Sequence, residues 1–312
     1  MSVIVAEVSR NGFVESTHAV DAVVVGADRS ILRSWGVVDQ PMLPRSANKP
    51  MQAIGMLQAG AKLAGPALAI ATASHSGMPQ HLDAVRASLA ASGLDESYLA
   101  NTADYPINED ARDDWIRAGN PKTSLTQNCS GKHAGMLAAC VAAGWDLAGY
   151  RDPDHPLQRV IAEVVADCSG DQISATVCDG CGAPAFAITL TGLAWAFGRI
   201  AAATSGPAKQ VADAMRAHPE LVAAEDRSVT RLMRGIAGAV VKDGAEGVIA
   251  AGLPDGTGIA LKVIDGSARA RDASLTAILA ELGVGEPRLL EEVGLFPILG
   301  HGEPVGRIIT RL

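Results

Sequence analysis

The chain has few aromatic residues and no cluster of basic ones. Only 4% of its 312 residues are Phe, Trp or Tyr, and its formal net charge is −8. A nucleic-acid-binding surface normally carries a basic patch or stripe, often with aromatic side chains on which bases stack. These two absences argue against nucleic acid as a partner and favour a small-molecule substrate.

Long apolar segments are also missing. Glu7 and Arg10 interrupt the first ten residues before the apolar core of a signal peptide can form, and no apolar run has the length of a membrane span. The five cysteines are an odd number, which disfavours a disulfide framework. We therefore expect no membrane association, a cytoplasmic location and reduced thiols, some of which are candidate metal ligands.

The chain is 48% hydrophobic, which is enough for a large core, and no linker, repeat or low-complexity tract divides it. We predict a single catalytic domain over residues 1–312. Val/Ile-rich segments and a Pro-Asp-Gly turn predict antiparallel strands at 2–9, 20–26, 29–37, 247–252 and 258–264. Apolar spacing predicts helices at 50–60, 79–92, 134–143 and 155–168, with Cys140 and Cys168 in the core. Strands near both termini with helices between them predict an α+β fold, a central antiparallel sheet with a helical layer on each side.

A serine and a lysine stand three residues apart at the expected start of a helix, in the segment R-S-A-N-K-P at 45–50. Residues three apart share a helix face, so the Lys49 amine can reach the Ser46 hydroxyl. A serine needs an adjacent base to act as a nucleophile, and a lysine serves only when burial or neighbouring cations lower its pKa. The pattern predicts a catalytic pair, although a helix cap followed by a solvated lysine is the commoner explanation of such a match.

Two further segments offer partners for this pair. Lys262 lies in the predicted strand I-A-L-K-V-I, either on a sheet edge, where its charge discourages edge pairing, or in the catalytic cleft as a second cation beside Lys49. The segment A-S-H-S-G presents Ser74 and Ser76 before a predicted helix, where one of them is expected to be the N-cap. Ser74 is the better catalytic candidate, because one cap serine is enough.

Three cysteines lie in polar loops. Cys129 begins the segment C-S-G-K-H, and Cys178 and Cys181 form a C-x-x-C motif; with His133 these thiols are ordinary zinc ligands. A thioredoxin-like redox pair is disfavoured, because the Trp-Cys-Gly-Pro-Cys context and its leading βαβ unit are missing from the sequence. The third interpretation is that the cysteines are small residues packed in turns without a metal.

Five motifs, in this order and over most of the chain, resemble the asparaginase II family of Rhizobium etli type. They are R-S-A-N-K-P, A-S-H-S-G, N-C-S-G-K-H-A-G-M-L, D-G-C-G-A-P and G-I-A-L-K-V-I-D-G. Five coinciding motifs are far more specific than any one of them. The resemblance implies an L-asparaginase, which hydrolyses L-asparagine to L-aspartate and ammonia. It also implies an αβα sandwich with a helical lobe, similar to serine β-lactamases, DD-peptidases and glutaminases, usually as a homodimer.

The resemblance also implies the identity of the catalytic residues. They form two Ser-Lys pairs, Ser46 with Lys49 and Ser74 with Lys262. Met78 stands where related sequences are expected to have an acidic or polar residue, so substrate contacts after Gly77 are expected to differ.

The metal site implied by the resemblance holds one zinc ion per chain, with Cys129, Lys132 and Cys181 as ligands and Cys178 as a mere neighbour. A lysine ligand is energetically reasonable, because deprotonating a free lysine at pH 7 costs roughly 5 kcal/mol. Structural zinc sites contribute about 10–16 kcal/mol. The fourth zinc position is then left for water or substrate.

Three polar residues next to these motifs are candidates for substrate binding. We expect Arg45 to pair with a carboxylate, Asp179 to hold the ammonium group or to support the metal ligands, and His133 to do either or to cap its helix. Two other functions stay open. A penicillin-recognising serine acyl-transferase or amidase should have an export signal and a late K-T-G motif, whereas the chain has only K-T-S at 122–124. A non-enzymatic, zinc-stabilised binding protein has no need of two Ser-Lys pairs.

Overall fold

The structure, a computed structural model, describes residues 3–312. The chain divides into two compact units. Unit 1 comprises the chain up to Ala47, Ile188–Ala202 and Arg231–Leu312, and unit 2 comprises Asn48–Ala187 and Ala203–Thr230. Each unit therefore combines segments that are distant in sequence, and the single catalytic domain over 1–312 stays a prediction. Residue 2, the first of the strand predicted at 2–9, lies outside the described residues.

The strands begin and end as follows: β1 (Ile4–Arg10), β2 (Phe13–Val25), β3 (Ile31–Trp35), β4 (Pro41–Met42), β5 (Thr176–Cys178), β6 (Pro184–Phe186), β7 (Ile188–Thr189), β8 (Val240–Asp243), β9 (Val248–Gly252), β10 (Gly258–Val263), β11 (Pro297–Gly300) and β12 (Glu303–Arg311). The strand segments expected near both ends of the chain are thus confirmed within the described residues.

The α-helices are α1 (Lys49–Gln58), α2 (Gly65–Ala71), α3 (Pro79–Ala90), α4 (Glu109–Arg117), α5 (Ser130–Ala143), α6 (Pro156–Ser169), α7 (Leu190–Ala201), α8 (Gly206–Ala217), α9 (Pro219–Val222), α10 (Ser228–Gly235), α11 (Arg271–Glu281) and α12 (Pro287–Gly294). Short 3₁₀ helices cover Arg45–Asn48, Glu96–Tyr98 and Ala268–Ala270. All four predicted helices are present, with boundaries shifted by a few residues. Within residues 3–312 no helix has both the length and the apolar character needed to cross a bilayer.

One antiparallel sheet of eight strands forms the framework of unit 1. Its order is β11-β12-β1-β2-β10-β9-β8, and β3 also pairs with β2. The predicted meander at the start of the chain, β1 to β3, and the predicted pair β9 and β10 are therefore confirmed. In the register, Lys262 pairs with Asp21 of β2 and with Val248 of β9. Because β10 is a central strand, the interpretation of Lys262 as an edge-strand residue is wrong.

Helices cover both faces of this sheet. Every residue of β9 is buried, and so are Ile259, Ala260 and Leu261 of β10, although consecutive strand residues point to opposite faces. Of the helices in unit 1, α7 and α11 both pack against β9 and β10. Gly258 lets α7 approach closely, since a Cβ there would lie 1.8 Å from the carbonyl oxygen of Ala194. The predicted α+β class, with a central antiparallel sheet between helical layers, is confirmed.

Unit 2 is mainly helical, and α5 is its most buried helix. Each residue of α5 from Ser130 to Cys140 is buried, and the helix packs against α1, α2 and α3. Gly131 permits this packing, because a Cβ there would lie 2.1 Å from the carbonyl oxygen of Ile70 in α2. The helical lobe is thereby confirmed, and Cys140 is in the core as predicted, as is Cys168 in α6.

Candidate active site

Ser46 and Lys49 occupy the junction between a short 3₁₀ helix and α1. Ser46 lies within the 3₁₀ turn, and Lys49 is the first residue of α1, where Pro50 follows in the first turn as this position allows. The Ser46 side chain is half-buried, and among residues 3–312 its hydroxyl forms no hydrogen bond. Lys49 is only 1% exposed. The commoner interpretation, in which Lys49 is exposed to solvent, is therefore wrong.

The Lys49 amine is surrounded by acceptors of unit 2. Its Nζ donates to the hydroxyl of Ser74 at 3.1 Å and to the carbonyl oxygen of Ala73. A buried amine needs such partners, because burying a polar group without hydrogen bonds is costly. The structure thus brings Lys49 together with Ser74, the serine of the second predicted pair.

Backbone hydrogen bonds hold Ser74 in place. The N–H groups of Ser74 and Ser76 both donate to carbonyl oxygens of the segment 222–223, at 3.0 Å. This segment belongs to unit 2, as Ser74 does. α3 begins only at Pro79, so neither serine is its N-cap. Of the two serines, Ser74 is the one whose hydroxyl meets Lys49.

The buried His75 side chain stabilises the same segment through hydrogen bonds. Its Nδ1 accepts the N–H of Gly77 at 3.2 Å, so the proton is on Nε2, which donates to the hydroxyl of Ser130 at 2.8 Å. The ring stacks on that of His81 with centroids 5.4 Å apart. Burial, followed by the charges of His81 and Lys49, lowers the pKa of His75 well below 6.5. The sequence analysis gave His75 no role, although it lies inside the motif A-S-H-S-G.

Two buried cysteines and a buried lysine form a cluster in unit 2. The Lys132 Nζ donates to the Cys181 thiol at 3.0 Å, and the Cys129 thiol donates to the side-chain oxygen of Asn128 at 3.2 Å. Interaction with the Cys181 thiol, and then the charges of Lys49 and Lys132, lowers the pKa of Cys129 well below its ordinary value and outweighs the effect of burial. The same interaction between the thiols, and then burial, raises the pKa of Cys181. The two thiols are therefore unequal, and Cys129 is the easier of them to deprotonate.

These side chains fit the zinc site that the resemblance implies. Zinc binds sulfur at about 2.3 Å and nitrogen at about 2.0–2.1 Å, so its ligands lie within about 4 Å of one another. The 3.0 Å between the Cys181 thiol and the Lys132 amine meets this requirement, and the buried Cys129 lies close enough to both for them to shift its pKa. Over residues 3–312 no three His, Cys, Asp or Glu side chains are arranged to hold a metal ion. The alternative ligand set of Cys129, Cys178, Cys181 and His133 is therefore not assembled in the described residues, and a site here depends on the lysine.

A hairpin in unit 2 carries Cys181 to this cluster. β5 pairs with β6, and at the tip the Asp179 carboxylate accepts the N–H of Gly180 at 2.8 Å. The turn leaves Cys178 exposed at the end of β5 and buries Cys181. Burial lowers the pKa of Lys132, but Cys181, Cys129 and Asp179 outweigh this effect and raise the pKa above its ordinary value. Of the C-x-x-C motif, only the second cysteine contacts the lysine.

His133 is fully buried in α5 and keeps one ring nitrogen unpaired. The Tyr150 hydroxyl accepts the N–H of Ala100 at 3.1 Å and donates to Nδ1 of His133 at 2.7 Å. The ring proton is then on Nε2, which has no hydrogen-bond partner within the described part of the chain. Burial, and then the charge of Lys132, lowers the pKa of His133 well below 6.5. His133 is a neutral donor and not a helix cap, because α5 begins at Ser130.

The remaining predicted residues lie in unit 1. The Lys262 amine donates to the backbone carbonyl of Glu246 at 2.9 Å, and an Arg45 guanidinium nitrogen lies 4.0 Å from the Glu246 carboxylate. Burial lowers the pKa of Lys262, Glu246 partly offsets this, and the Arg45 charge lowers it further. Arg45 and Lys262 thus both contact Glu246, a residue that no sequence motif indicated. The pairing of Lys262 with Ser74 stays a prediction.

Comparisons with known proteins give one match in sequence and several in structure. A family model described as L-asparaginase II matches residues 6–310. No curated protein sequence matches the chain. The chain is similar to a solved β-lactamase from Mycobacterium bovis, with 17% identity, 84% of this chain and 94% of that chain covered, and a TM-score of 0.44.

Two other solved structures are similar to a comparable degree. One is Mglu in its native form, with 13% identity, 85% of this chain and 61% of that chain covered, and a TM-score of 0.47. The other is EstCE1, a hydrolase with promiscuous acyltransferase activity, with 12% identity, coverages of 84% and 88%, and a TM-score of 0.39. At these identities and TM-scores, the assignment of a family rests on the sequence match.

Proposed function

Because the chain belongs to the L-asparaginase II family, we propose that it is an amidohydrolase that converts L-asparagine to L-aspartate and ammonia. The observation that supports this most directly is the buried Lys49 amine, hydrogen-bonded to the Ser74 hydroxyl and placed three residues after Ser46. A serine with a lysine partner is one arrangement that activates a nucleophile for covalent amide hydrolysis.

In the proposed mechanism Ser46 is the nucleophile and Lys49 is the base. Lys49, as a neutral amine, takes the hydroxyl proton, and the Ser46 oxygen forms a bond to the side-chain amide carbon. This attack opens the C=O double bond to a tetrahedral oxyanion. When the double bond re-forms, the C–N bond breaks and the nitrogen leaves as ammonia with the proton that Lys49 took up, passed on directly or through Ser74. Water then hydrolyses the acyl-enzyme to L-aspartate. Ser46 is preferred because its hydroxyl is half-buried and makes no hydrogen bond within the described residues, whereas Ser74 is 6% exposed and already bound to Lys49.

Ser74 is proposed to hold the Lys49 amine and to carry protons to and from it. A hydroxyl both donates and accepts, so it can pass on a proton without becoming charged. Lys262 keeps the role that the family resemblance implies, as the cation of the second pair. Arg45 is proposed to bind the substrate carboxylate, since guanidinium matches carboxylate geometry with two parallel hydrogen bonds.

We further propose that Cys129, Lys132 and Cys181 hold one zinc ion. When bound, zinc would supply a Lewis acid that attracts the amino or carboxylate end of the substrate. The protein side chains supply the rest: two thiols and one amine as donors, and His133 beside them as a neutral N–H donor. His133 and Asp179 are candidates to contact the substrate or to support the metal ligands.

The test is ammonia release from L-asparagine and L-glutamine by the purified protein and by serine variants. We expect Ser46→Ala to reduce kcat about a thousandfold or more, and Ser74→Ala about a hundredfold or more. The double variant should be little worse than Ser46→Ala, because members of one catalytic unit are not additive. Ser88→Ala is the matched control, since Ser88 is also buried but outside the site.

Each alternative has its own outcome. Near-wild-type activity in Ser46→Ala transfers the nucleophile to Ser74, and near-wild-type activity in both single variants rejects Ser-Lys catalysis. Opening of a chromogenic β-lactam without release of ammonia favours the penicillin-recognising acyl-transferase. Neither reaction, with the fold retained, favours a zinc-stabilised binding protein.

A further inference from the structure

A turn of unit 1 contacts the segment that carries Ser46. The turn comprises residues 244–247 and joins β8 to β9. Gly244 packs directly on that segment, because a Cβ there would lie 2.5 Å from the carbonyl oxygen of Pro44. The mechanism above uses no residue of this turn, yet Glu246 projects a carboxylate from it.

Glu246 and Arg45 form an opposite-charge pair at this place. The carboxylate and the guanidinium are 4.0 Å apart, and their side chains are 61% and 24% exposed, so solutes can reach them. Lys262 donates to the Glu246 backbone carbonyl at 2.9 Å and so fixes the turn. Both members of the pair have positive φ, 59° for Glu246 and 51° for Arg45, which is rare for residues other than glycine. Such backbone strain persists where the surrounding structure imposes it, often at functional sites.

We propose that Glu246 binds the α-ammonium group of an L-α-amino acid substrate, next to Arg45, which binds its α-carboxylate. The identity of the substrate rests on the proposed function. An amino acid carries the two charges on one carbon, so it needs a carboxylate and a guanidinium side by side. An exposed Arg–Glu pair is weak, so the substrate can replace it at little cost and leave both charges paired.

The same geometry distinguishes Glu246 from Asp179, the ammonium partner expected from the sequence. The Asp179 carboxylate accepts the N–H of Gly180 within its own hairpin, and its charge helps to raise the pKa of Lys132. Glu246 instead lies within the unit that contains Arg45 and Ser46. When a ligand lacks the amino group, the Glu246 carboxylate has no ammonium partner. It then competes with the carboxylate of the ligand for Arg45. Glu246 therefore selects for amino acids over their deamino analogues.

The experiment compares binding of L-aspartate and succinate, which differ only in the amino group and are not hydrolysed. Titration calorimetry of the wild type should show L-aspartate bound about tenfold to a hundredfold more tightly than succinate, as expected for a charged hydrogen bond. In Glu246→Gln this preference should fall to less than about threefold, whereas Glu246→Asp should retain part of it. Glu15→Gln is the control, because Glu15 is also an exposed glutamate of unit 1 paired with an arginine, Arg10, at 3.2 Å.

A wild type without the preference, or a Glu246→Gln variant that keeps it, overturns the proposal. Loss of the preference in Asp179→Asn but not in Glu246→Gln assigns the ammonium group to Asp179 instead. Ammonia release from L-asparagine, measured on the same wild-type sample, tests the proposed function separately. A Glu246-dependent preference without ammonia release rejects that function and supports Glu246 as the ammonium partner.

Discussion

At the residue scale, three lysines of the described residues are fully buried, and two of them, Lys49 and Lys132, belong to the candidate site. Lys49 and Lys132 are each 1% exposed. A buried amine is tolerated only among hydrogen-bonding partners, which here are Ser74 and the Ala73 carbonyl for Lys49, and Cys181 for Lys132. The side chains that stabilise the two amines are therefore the candidate catalytic and metal-binding residues themselves.

Two stacked histidines beside Ser74 make the stability of the protein depend on pH. Burial lowers the pKa of His75 and of His81 in the folded protein, whereas both return to about 6.5 in the unfolded chain. Below about pH 6.5 the unfolded chain therefore binds more protons. We expect the free energy of unfolding to fall as the pH drops from about 6.5 toward the folded pKa values, by at most about 1.4 kcal/mol per pH unit for each histidine.

Urea unfolding at pH 8, 6.5 and 5 measures this slope. His75→Gln should make the slope shallower, and His301→Gln, which changes an exposed histidine, should not. If wild type and His75→Gln have equal slopes between pH 6.5 and 5, His75 is not held neutral by burial.

At the element scale, close packing of α7 on the sheet depends on glycines that lack a side chain. A Cβ at Gly252 would lie 2.0 Å from the carbonyl oxygen of Phe197, which belongs to the backbone of α7 and cannot rotate away. We expect Gly252→Ala to lower the free energy of unfolding by about 1–3 kcal/mol, the usual cost of overpacking. Chemical denaturation measures this, with Gly149→Ala as control, because a Cβ at Gly149 meets no atom closer than 3.9 Å.

Since neither Gly252 nor Gly149 has a positive φ, both substitutions avoid backbone strain and the comparison isolates steric contact. Equal stability of the two variants would mean that α7 can move away from β9 at no cost.

The β5–β6 hairpin makes the two cysteines of the C-x-x-C motif unequal. Cys181 is buried against Lys132 and Cys178 is exposed. If zinc is bound as proposed, the purified protein should contain about one zinc ion per chain. Cys178→Ser should retain it and Cys181→Ser should lose it, as measured by elemental analysis of the folded protein. Equal loss from both variants would favour the C-x-x-C motif as the metal site.

At the scale of the whole molecule, the family resemblance implies a homodimer. Most soluble oligomers are symmetric assemblies of identical chains, and two-fold dimers are the commonest. We expect sedimentation equilibrium to give twice the mass of one chain at micromolar concentration. A mass of one chain throughout a dilution series at that concentration would reject the dimer.

The sequence by itself determined the class of the fold and most of its elements. Strand alternation, turn residues and helical spacing act over a few residues, so β1 to β3, β9, β10, α3 and α6 were predictable. The sequence also determined the family, because the five motifs are short, ordered and specific. Spacing also predicted a Ser46–Lys49 pair, which stays a prediction, because within the described residues the Lys49 amine is hydrogen-bonded to Ser74 and not to Ser46.

Only the tertiary structure decided which distant side chains meet. Ser74 contacts Lys49 across 25 residues of sequence, and Cys181 contacts Lys132 across 49. Local patterns left Ser74 as either an N-cap or a catalytic residue, and they left Lys262 as either a sheet-edge residue or a cation of the catalytic cleft. No sequence pattern indicated that Arg45 and Lys262 contact Glu246. Such contacts depend on the packing of whole helices and strands, whose geometry is set by many side chains at once and not by the spacing within any one segment.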